Sequence, residues 1–473
     1  MIAHAAETGR PCPLAMRFLL AAVATALAAA VIAWLFLQVI EDGKRNIALR
    51  TIAVGIVSNV CCALVGTFLV LRRMSLLGDA ISHAVLPGII LAVVLTGRLD
   101  GWPVLLAALL VGLATALGAQ SLQGFGQVSE DSSLGVVYTS LFALGVVMLK
   151  VFLPKGHVDV ECVLYGTIDT AGIIPRFWLG VPWPPALFKL LPVLVAVLAF
   201  IVIAWKELQI VSFDAALARA MGLPARLIHL ALMGVVAMVT VASFESVGSI
   251  LVVPMLIVPA ATARLLVDRL SSTLLVASLA AILAAILGYL ASVAFPERKS
   301  PSAAGMMAVV AGLQLGLAVL FSPRYGLASR WLRNLLLAVK IAAEDIVARL
   351  YRAEERGLGV AASEDPATSW LVRFLARFRV RRQGWVLGHA GNLQLTTRGR
   401  QQAQSIVRAH RLWESYLATH FELPHDHLHE PAERMEHFLD ADLQEQLVSE
   451  LAGQTLDPHG SPIPPRGEES ARK

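Results

Sequence analysis

The sequence predicts an all-α polytopic membrane protein of about ten transmembrane helices. A soluble, mainly helical C-terminal domain follows, with a winged-helix-like part and a dimerisation part. Three observations carry this. Of 473 residues, 57% are hydrophobic and only 15% charged, against about a quarter charged in an average soluble protein. Apolar runs of about twenty residues, the length that crosses a bilayer, recur through the first two-thirds of the chain. After Phe321-Ser322-Pro323 charged residues become roughly twice as frequent, eight of the 12 histidines lie there, and no further span-length run follows.

Taken in order, residues 1–44 form an N-terminal segment carrying a first span at 15–40. Its apolar run from Phe18 to Val39 is long for a secretory leader, so a retained helix is expected. A membrane domain, 45–323, holds spans at 51–71, 76–96, 102–122, 133–153, 188–205, 225–243, 247–266, 271–294 and 303–322. Between the fifth and sixth spans, Ala171–Phe188 has Trp178, Trp183 and four prolines. It reads as an interfacial loop, a re-entrant segment being the alternative. The stretch "KELQIVSFDAALARAMGLP", Lys206 to Pro224, is too short and polar to span. It reads as one short alanine-rich helix stopped by Gly222 and Pro224, either a docking element for another protein or an ordinary connection. Pro254 and Pro259 suggest a kinked span, and Gly248, Ala260, Ala261 and Ala263 suit close helix packing.

Basic residues vote on orientation. Arg72-Arg73, Arg264 with Arg269, and Arg324, Arg330 and Arg333 share one side of a ten-span arrangement, which the positive-inside rule makes cytoplasmic. Lys44-Arg45-Arg50 and Arg298-Lys299 fall on the other side and oppose it. Cys12, Cys61, Cys62 and Cys162 form no C-x-x-C pair, which argues against a disulfide framework. No G-x-x-x-x-G-K-[ST] occurs, so any ATP that drives this protein is bound by another chain. A net charge of +5 says little about nucleic acid.

Within "SLLGDAISHAVLPG", Asp79 and His83 stand four apart and share a helix face, although each is costly inside a membrane. Pro87-Gly88 one turn later frees backbone carbonyls nearby. A carboxylate with an imidazole suits Mn, Fe(II) or Zn. A proton relay and a purely structural hydrogen-bonded pair are the other readings of these residues. Glu245, in "SFESVGSILVVPMLIVPAATARLL", is a second acid near a membrane face, either receiving a cation or satisfied by water.

These stretches resemble a known family. "LRRMSLLGDAISHAVLPGI", "VSFDAALARAMGLP", "SVGSILVVPMLIVPAATARLL" and "AVLFSPRYGL" are similar to the integral-membrane permeases of ABC transporters for manganese, zinc and iron, over roughly residues 45–330. The resemblance implies a non-enzymatic transport subunit in the inner membrane, with its C-terminal domain in the cytoplasm. Its implied partners are a separate ABC ATPase, an extracytoplasmic metal-binding solute protein and a second copy or paralogous permease. It places Asp79 and His83 on the metal path, with Glu245 a further candidate on its own chemistry, and Phe213, Asp214, Ala218 and Gly222 in the ATPase-coupling segment.

In the soluble part, His410 and Glu414 again stand four apart, and "HDHLHEPAERMEH" supplies His425, His427, His429, Glu433, Glu436 and His437. If Pro431 starts a helix, Glu433, Glu436 and His437 share a face with ligand spacing, the alternative being a solvated charged helix. "LTTRGRQQAQSIVRAHRLWESYL", "LHEPAERMEHFLDADL" and "LDPHGSPIP" resemble the iron- and manganese-dependent repressors, over roughly Glu344 to Pro464. That resemblance implies metal ligands at Asp345, His410, Glu414, His429, Glu433, Glu436 and His437. Glu433 stands where the iron branch has cysteine, which favours the manganese branch, whereas Ala348 replaces one of that branch's glutamates. Residues 324–400 then read as a linker with a degenerate winged-helix-like region, 401–464 as the metal-binding and dimerisation part and 465–473 as a disordered tail. "SWLVRFLARFRVRRQG" is basic and amphipathic, suited to a partner or a membrane surface.

The expectation is therefore a permease subunit of an ATP-driven divalent-metal importer, manganese first, zinc or iron next. No cofactor is permanently bound; Mn2+, Zn2+ or Fe2+ serves as cargo and as regulatory ligand of a sensing tail. Nucleic acid is not an expected partner. The rival readings are a membrane-tethered metal-responsive transcription regulator and a proton-coupled metal transporter.

Overall fold

The computed structural model describes residues 40, 44–74, 77–97, 102–126, 129–152, 168–170, 172–173, 176–178, 181–295, 301–357, 369–388, 393–421, 424, 427–451 and 453–465. At a few helix and strand positions, Asp79 and Glu245 among them, it describes the backbone alone. The expected first span up to Val39, with Cys12, Cys162 and His425, lies outside the described residues. The chain divides into two compact units, Met1–Leu327 and Ala328–Lys473.

The first unit is helical: α1 (Arg45–Leu71), α2 (Leu77–Ala84), α3 (Leu86–Thr96), α4 (Trp102–Gly126) and α5 (Glu130–Phe152), then α6 (Pro185–Ile203), α7 (Trp205–Phe213) and α8 (Ala215–Ala220). It continues with α9 (Ala225–Val247), α10 (Ser249–Leu266), α11 (Leu270–Val293) and α12 (Ala303–Phe321). Among the described residues seven of these, α1, α4, α5, α6, α9, α11 and α12, are long and apolar enough to cross a membrane, and α3 and most of α10 are shorter apolar helices.

Helix α1 lies at the centre, packed against α6, α9, α10 and α11. Small residues make this possible, as lipid gives apolar helices no hydrophobic reason to associate and close backbone approach must do it. Ala63 meets Ala263, Ala277 and Ala281 in one seam. At Gly66 a methyl group would fall 1.7 Å from the Leu256 carbonyl oxygen, so only glycine lets α10 come this close.

Three local expectations change. The span at 76–96 is two helices meeting at Val85, because Pro87 in the first turn of α3 has no N–H to give the His83 carbonyl. Ala171–Phe188 contains an antiparallel hairpin, β1 (Arg176–Trp178) on β2 (Val181–Trp183), in which Phe177 pairs with Pro182. Helix α10 runs unbroken through Pro254 and Pro259, as transmembrane helices can when neighbours satisfy the freed carbonyl groups.

The loop after α10 and the segment after α12 meet at one end of the bundle. Arg324 pairs with Asp268, and the Ser322 hydroxyl donates to the Leu265 carbonyl. Helices α10 and α12 therefore run in the same direction, which puts Arg264, Arg269 and Arg324 on one side.

The second unit contains α13 (Leu327–Glu355), α14 (Trp370–Arg382), the hairpin β3 (Val386–Leu387) with β4 (Gln394–Leu395), α15 (Thr397–His420), α16 (His429–Met435) and α17 (Ala441–Glu450). One core joins α13, α14 and α15 through Val347, Leu350, Val380, Val407 and Trp385. A second, smaller one gathers Leu412, Leu439, Leu447 and Leu451. Helix α14, the hairpin and α15 follow one another in this lobe, with the short helices α16 and α17 after them.

Candidate functional site

In the membrane unit, Asp79 and His83 both belong to α2, four residues apart. The half-buried His83 ring lies against α5, its centroid 6.4 Å from that of Tyr138 and 5.8 Å from that of Phe142. Glu245 occupies the last turn of α9. Helix α9 also packs against α2. Cys61 and Cys62 are buried free thiols, the second 3.7 Å from the Ser243 hydroxyl.

The expected single helix over 206–224 is two, α7 and α8. Asp214 separates them, with extended backbone and a carboxylate that accepts the Ala216 and Leu217 N–H groups at 2.9 Å. This is N-capping by the residue type best suited to it. Gly222, at φ +75°, turns the chain out of α8 toward α9. Phe213, Leu217 and Met221 are exposed, an unusual density of large apolar side chains on a polar connection. Ala218 instead is fully buried within its own chain, so the small residue serves internal packing.

The second unit gathers its expected ligands from four segments into two adjacent groups. In the first, His410 and Glu414 project from one face of α15 toward His429 at the start of α16. His410 Nε2 lies 3.1 Å from Glu414 Oε1 and 3.1 Å from His429 Nδ1, and His429 Nδ1 is 2.9 Å from Glu414 Oε1. Glu433 joins only at the exposed rim, 3.8 Å from His429 Nε2. In the second group, His437 Nε2 lies 3.1 Å from Asp345 Oδ1 on α13 and 3.8 Å from Glu436 Oε1. Each triad keeps its ligand atoms within 4.8 Å of one another. Glu436 bridges the two, its Oε2 lying 2.6 Å from His410 Nδ1, outside hydrogen-bonding alignment.

Helix α16 differs from the expected one. It begins at His429, with Pro431 inside its first turn, and ends at Met435, so Glu436 and His437 sit in the turn that follows. This is why Glu433 and the Glu436-His437 pair serve different groups.

Sequence reasoning did not single out four further residues here. Glu344, buried on α13, lies 2.9 Å from His437 Nδ1. Arg352 reaches Glu436 at 3.1 Å, Lys340 lies 3.9 Å from Glu344, and His459 Nε2 lies 3.9 Å from Glu414. Glu344 stands one helical turn before Ala348, the position where the manganese-type repressors carry a glutamate, and that i, i+4 relation was the available signal.

Burial and charge oppose each other throughout. Burial works to lower the His437 pKa, but the Asp345 and Glu344 carboxylates outweigh it and raise it to about 9. Burial likewise disfavours protonated His410, and Glu414 and Glu436 reverse this and raise its pKa. For Glu414 burial works upward, yet His410 and His429 hold it down at about 2. Without metal, the protons favoured on His410 and His437 and the charge favoured on Glu414 tie these side chains together. With the protons removed, donors about 3 Å apart have the spacing of neighbouring ligands around one cation with bonds of about 2.1 Å, and N/O donors suit Mn, Fe or Zn.

A bundle with seven helices of membrane-crossing length, followed by a unit whose N/O donors cluster into two triads that could hold a metal ion, is the make-up of a polytopic membrane protein with an appended soluble domain. The chain belongs to the ABC 3 transport family, which matches residues 44–322. Residues 396–465 match the iron dependent repressor metal binding and dimerisation domain. It is 44% identical over 286 residues, 60% of this chain and 95% of the relative, to the manganese transport system membrane protein MntD of Bacillus subtilis. To the zinc transport system membrane protein TroD of Treponema pallidum it is 34% identical, over 76% of this chain and 98% of that one. Among solved structures it is similar to PsaBC from Streptococcus pneumoniae in complex with Fab. The TM-score is 0.50 at 32% identity, covering 59% of this chain and 92% of that one.

Proposed function

We propose that this chain is the permease subunit of an ATP-driven inner-membrane importer of divalent metal ions, manganese foremost and zinc or iron after it. Asp79 and His83 line the metal path, with Glu245 further along it. Phe213, Asp214 and Gly222 form the docking elbow for a separate ABC ATPase, and Ala218 packs behind it. An extracytoplasmic solute-binding protein delivers the metal, and a second copy or a paralogous permease completes the pathway. The domain division follows the sequence: 1–44, 45–323, 324–400, 401–464 and 465–473. The observation that carries the cargo is the 44% identity to a manganese-system membrane protein.

The second unit, on the cytoplasmic side, binds the same metal and reports when the cell is replete. Support comes from the convergence of His410, Glu414 and His429, and of Asp345, Glu436 and His437, on two triads. The fit is chemical as well: His410 Nδ1 is a buried polar atom with no aligned hydrogen bond, beside a carboxylate. When bound, the metal supplies a positive centre that replaces the imidazole protons. The residues hold it, with Arg352 and Lys340 compensating surplus carboxylate charge.

Two measurements test this. Import by the chain reconstituted with its ATPase is to depend on ATP, and import that persists without any ATPase but collapses with the proton gradient would replace this reading with a proton relay. Titration of the second unit with Mn(II), Fe(II) and Zn(II) is to give micromolar or tighter binding, and its absence sinks the sensor role.

A further inference from the structure

Helix α14 carries three aromatic side chains at four-residue spacing, Trp370, Phe374 and Phe378, and they are 72%, 63% and 59% exposed. Four-residue spacing puts them in one stripe. Arg377, Arg381 and Arg382 fall on the same arc and are exposed too. The opposite arc, with Ala376 and Val380, is buried in the core of the unit. Just after the helix, the hairpin presents Leu387, 67% exposed. Between Asp365 and Glu414 the sequence has nine arginines and no aspartate or glutamate.

We infer that this arginine–aromatic face docks the second unit onto the anionic lipid surface of the membrane that the first unit spans. Charge and composition choose that occupant. Aromatic rings flanked by arginine are the side chains that settle at a headgroup boundary, rings at the acyl edge and guanidinium groups among phosphates. The chain reaches α13 only five residues after α12 ends at Phe321, so a bilayer is always within reach and even weak attraction acts at high effective concentration. Duplex nucleic acid is matched less well. The arginines of α14 could serve phosphates or guanine edges, but three large exposed rings share their face, and these fit an acyl boundary better than a groove of base edges.

The test uses the full chain in nanodiscs, with Cys12 and Cys162 replaced by serine and one environment-sensitive fluorophore placed through Phe374→Cys. A control carries the label through Gln446→Cys on the exposed face of α17. In discs containing anionic lipid, the label at 374 is to be quenched several-fold more by nitroxide-bearing lipid than the label at 446, and several-fold less by iodide. Neutral lipid or high salt is to reverse both. The triple change Arg377→Glu, Arg381→Glu and Arg382→Glu is to release the label into water while the label at 446, placed in the same triple variant, keeps its emission and its cooperative thermal transition, which shows that the unit remains folded. The inference is overturned if iodide quenches both labels equally in anionic discs. It is also overturned if the label at 374 is shielded from water and lipid alike, as under a second copy of the chain. Stronger protection by added duplex DNA than by anionic lipid overturns it as well.

Discussion

Glu436 belongs to the second triad and lies beside His410 of the first, so Glu436→Gln tests both halves of the argument at once. The side chain is buried, with Arg352 at 3.1 Å and His410 at 2.6 Å. Removing one partner from a buried ion pair costs about 3–5 kcal/mol because the other charge is stranded. Glutamine keeps a hydrogen-bond acceptor for Arg352, so the loss belongs near the lower end, about 3 kcal/mol. For a unit of about 150 residues, 1 kcal/mol is about 2–4 °C of melting temperature, giving a fall of about 6–12 °C without metal. Metal adds the second readout. At a hundred times Kd, a ligand that binds only the folded form stabilises by about 2.7 kcal/mol, or about 5–10 °C in the parent chain. The variant is to lose most of that gain. Thermal melts of residues 328–473 with and without Mn(II), followed by tryptophan fluorescence, measure both. An unchanged metal-free melt refutes the ion-pair reasoning, and an undiminished metal-induced rise refutes Glu436 as a ligand.

Asp79→Ala and His83→Ala are each to abolish metal uptake by the reconstituted importer, with assembly on the ATPase unchanged by co-purification; uptake that persists in both removes them from the path. At the elbow, Phe213→Ala is to weaken ATPase co-purification while leaving the permease stable. Ala218→Leu, which overfills a buried position, is to lower thermal stability first, by about 1–3 kcal/mol. Metal binding by the second unit is to be pH-dependent with a definite sign. The His437 imidazole, its pKa raised to about 9, holds a proton at neutral pH that the metal must displace. Affinity therefore rises with pH through neutrality, by up to about tenfold per unit for each proton displaced, and levels off above about 9. Glu414, held at about 2, adds nothing to this slope. The same shift works in reverse on the metal-free fold. Its contribution is complete below about 6.5 and fades as pH rises through 9, so competition titrations and melts across pH 6.5–9 are to move in opposite directions.

Much of this was written plainly in the sequence, because hydropathy along a helix is a local property. Apolar runs marked the spans, and i, i+4 pairs such as His410 with Glu414 announced a shared face. What stayed hidden depends on how distant segments meet. No spacing rule separates Glu433 from Glu436-His437 into different triads, since the division arises where α16 ends against α13 and α15. Glu344 was passed over because a lone buried acid on a long helix gains meaning only once His437 lies beside it. The hairpin at 176–183 hid behind prolines that usually oppose strands. Ala218 adds a fact that spacing does not show: the small residue of the proposed elbow is buried within its own chain.

The cap at Asp214 has a mechanical consequence. By fixing the angle between α7 and α8, it makes the elbow a stiff crank, and buried Ala218 seats that crank in the bundle. Helix α9 starts three residues beyond Gly222 and runs unbroken for 23 residues, a rod of about 35 Å. If the proposed ATPase docks at Phe213, the cap leaves little slack between that contact and the far end of the rod, where Glu245 sits.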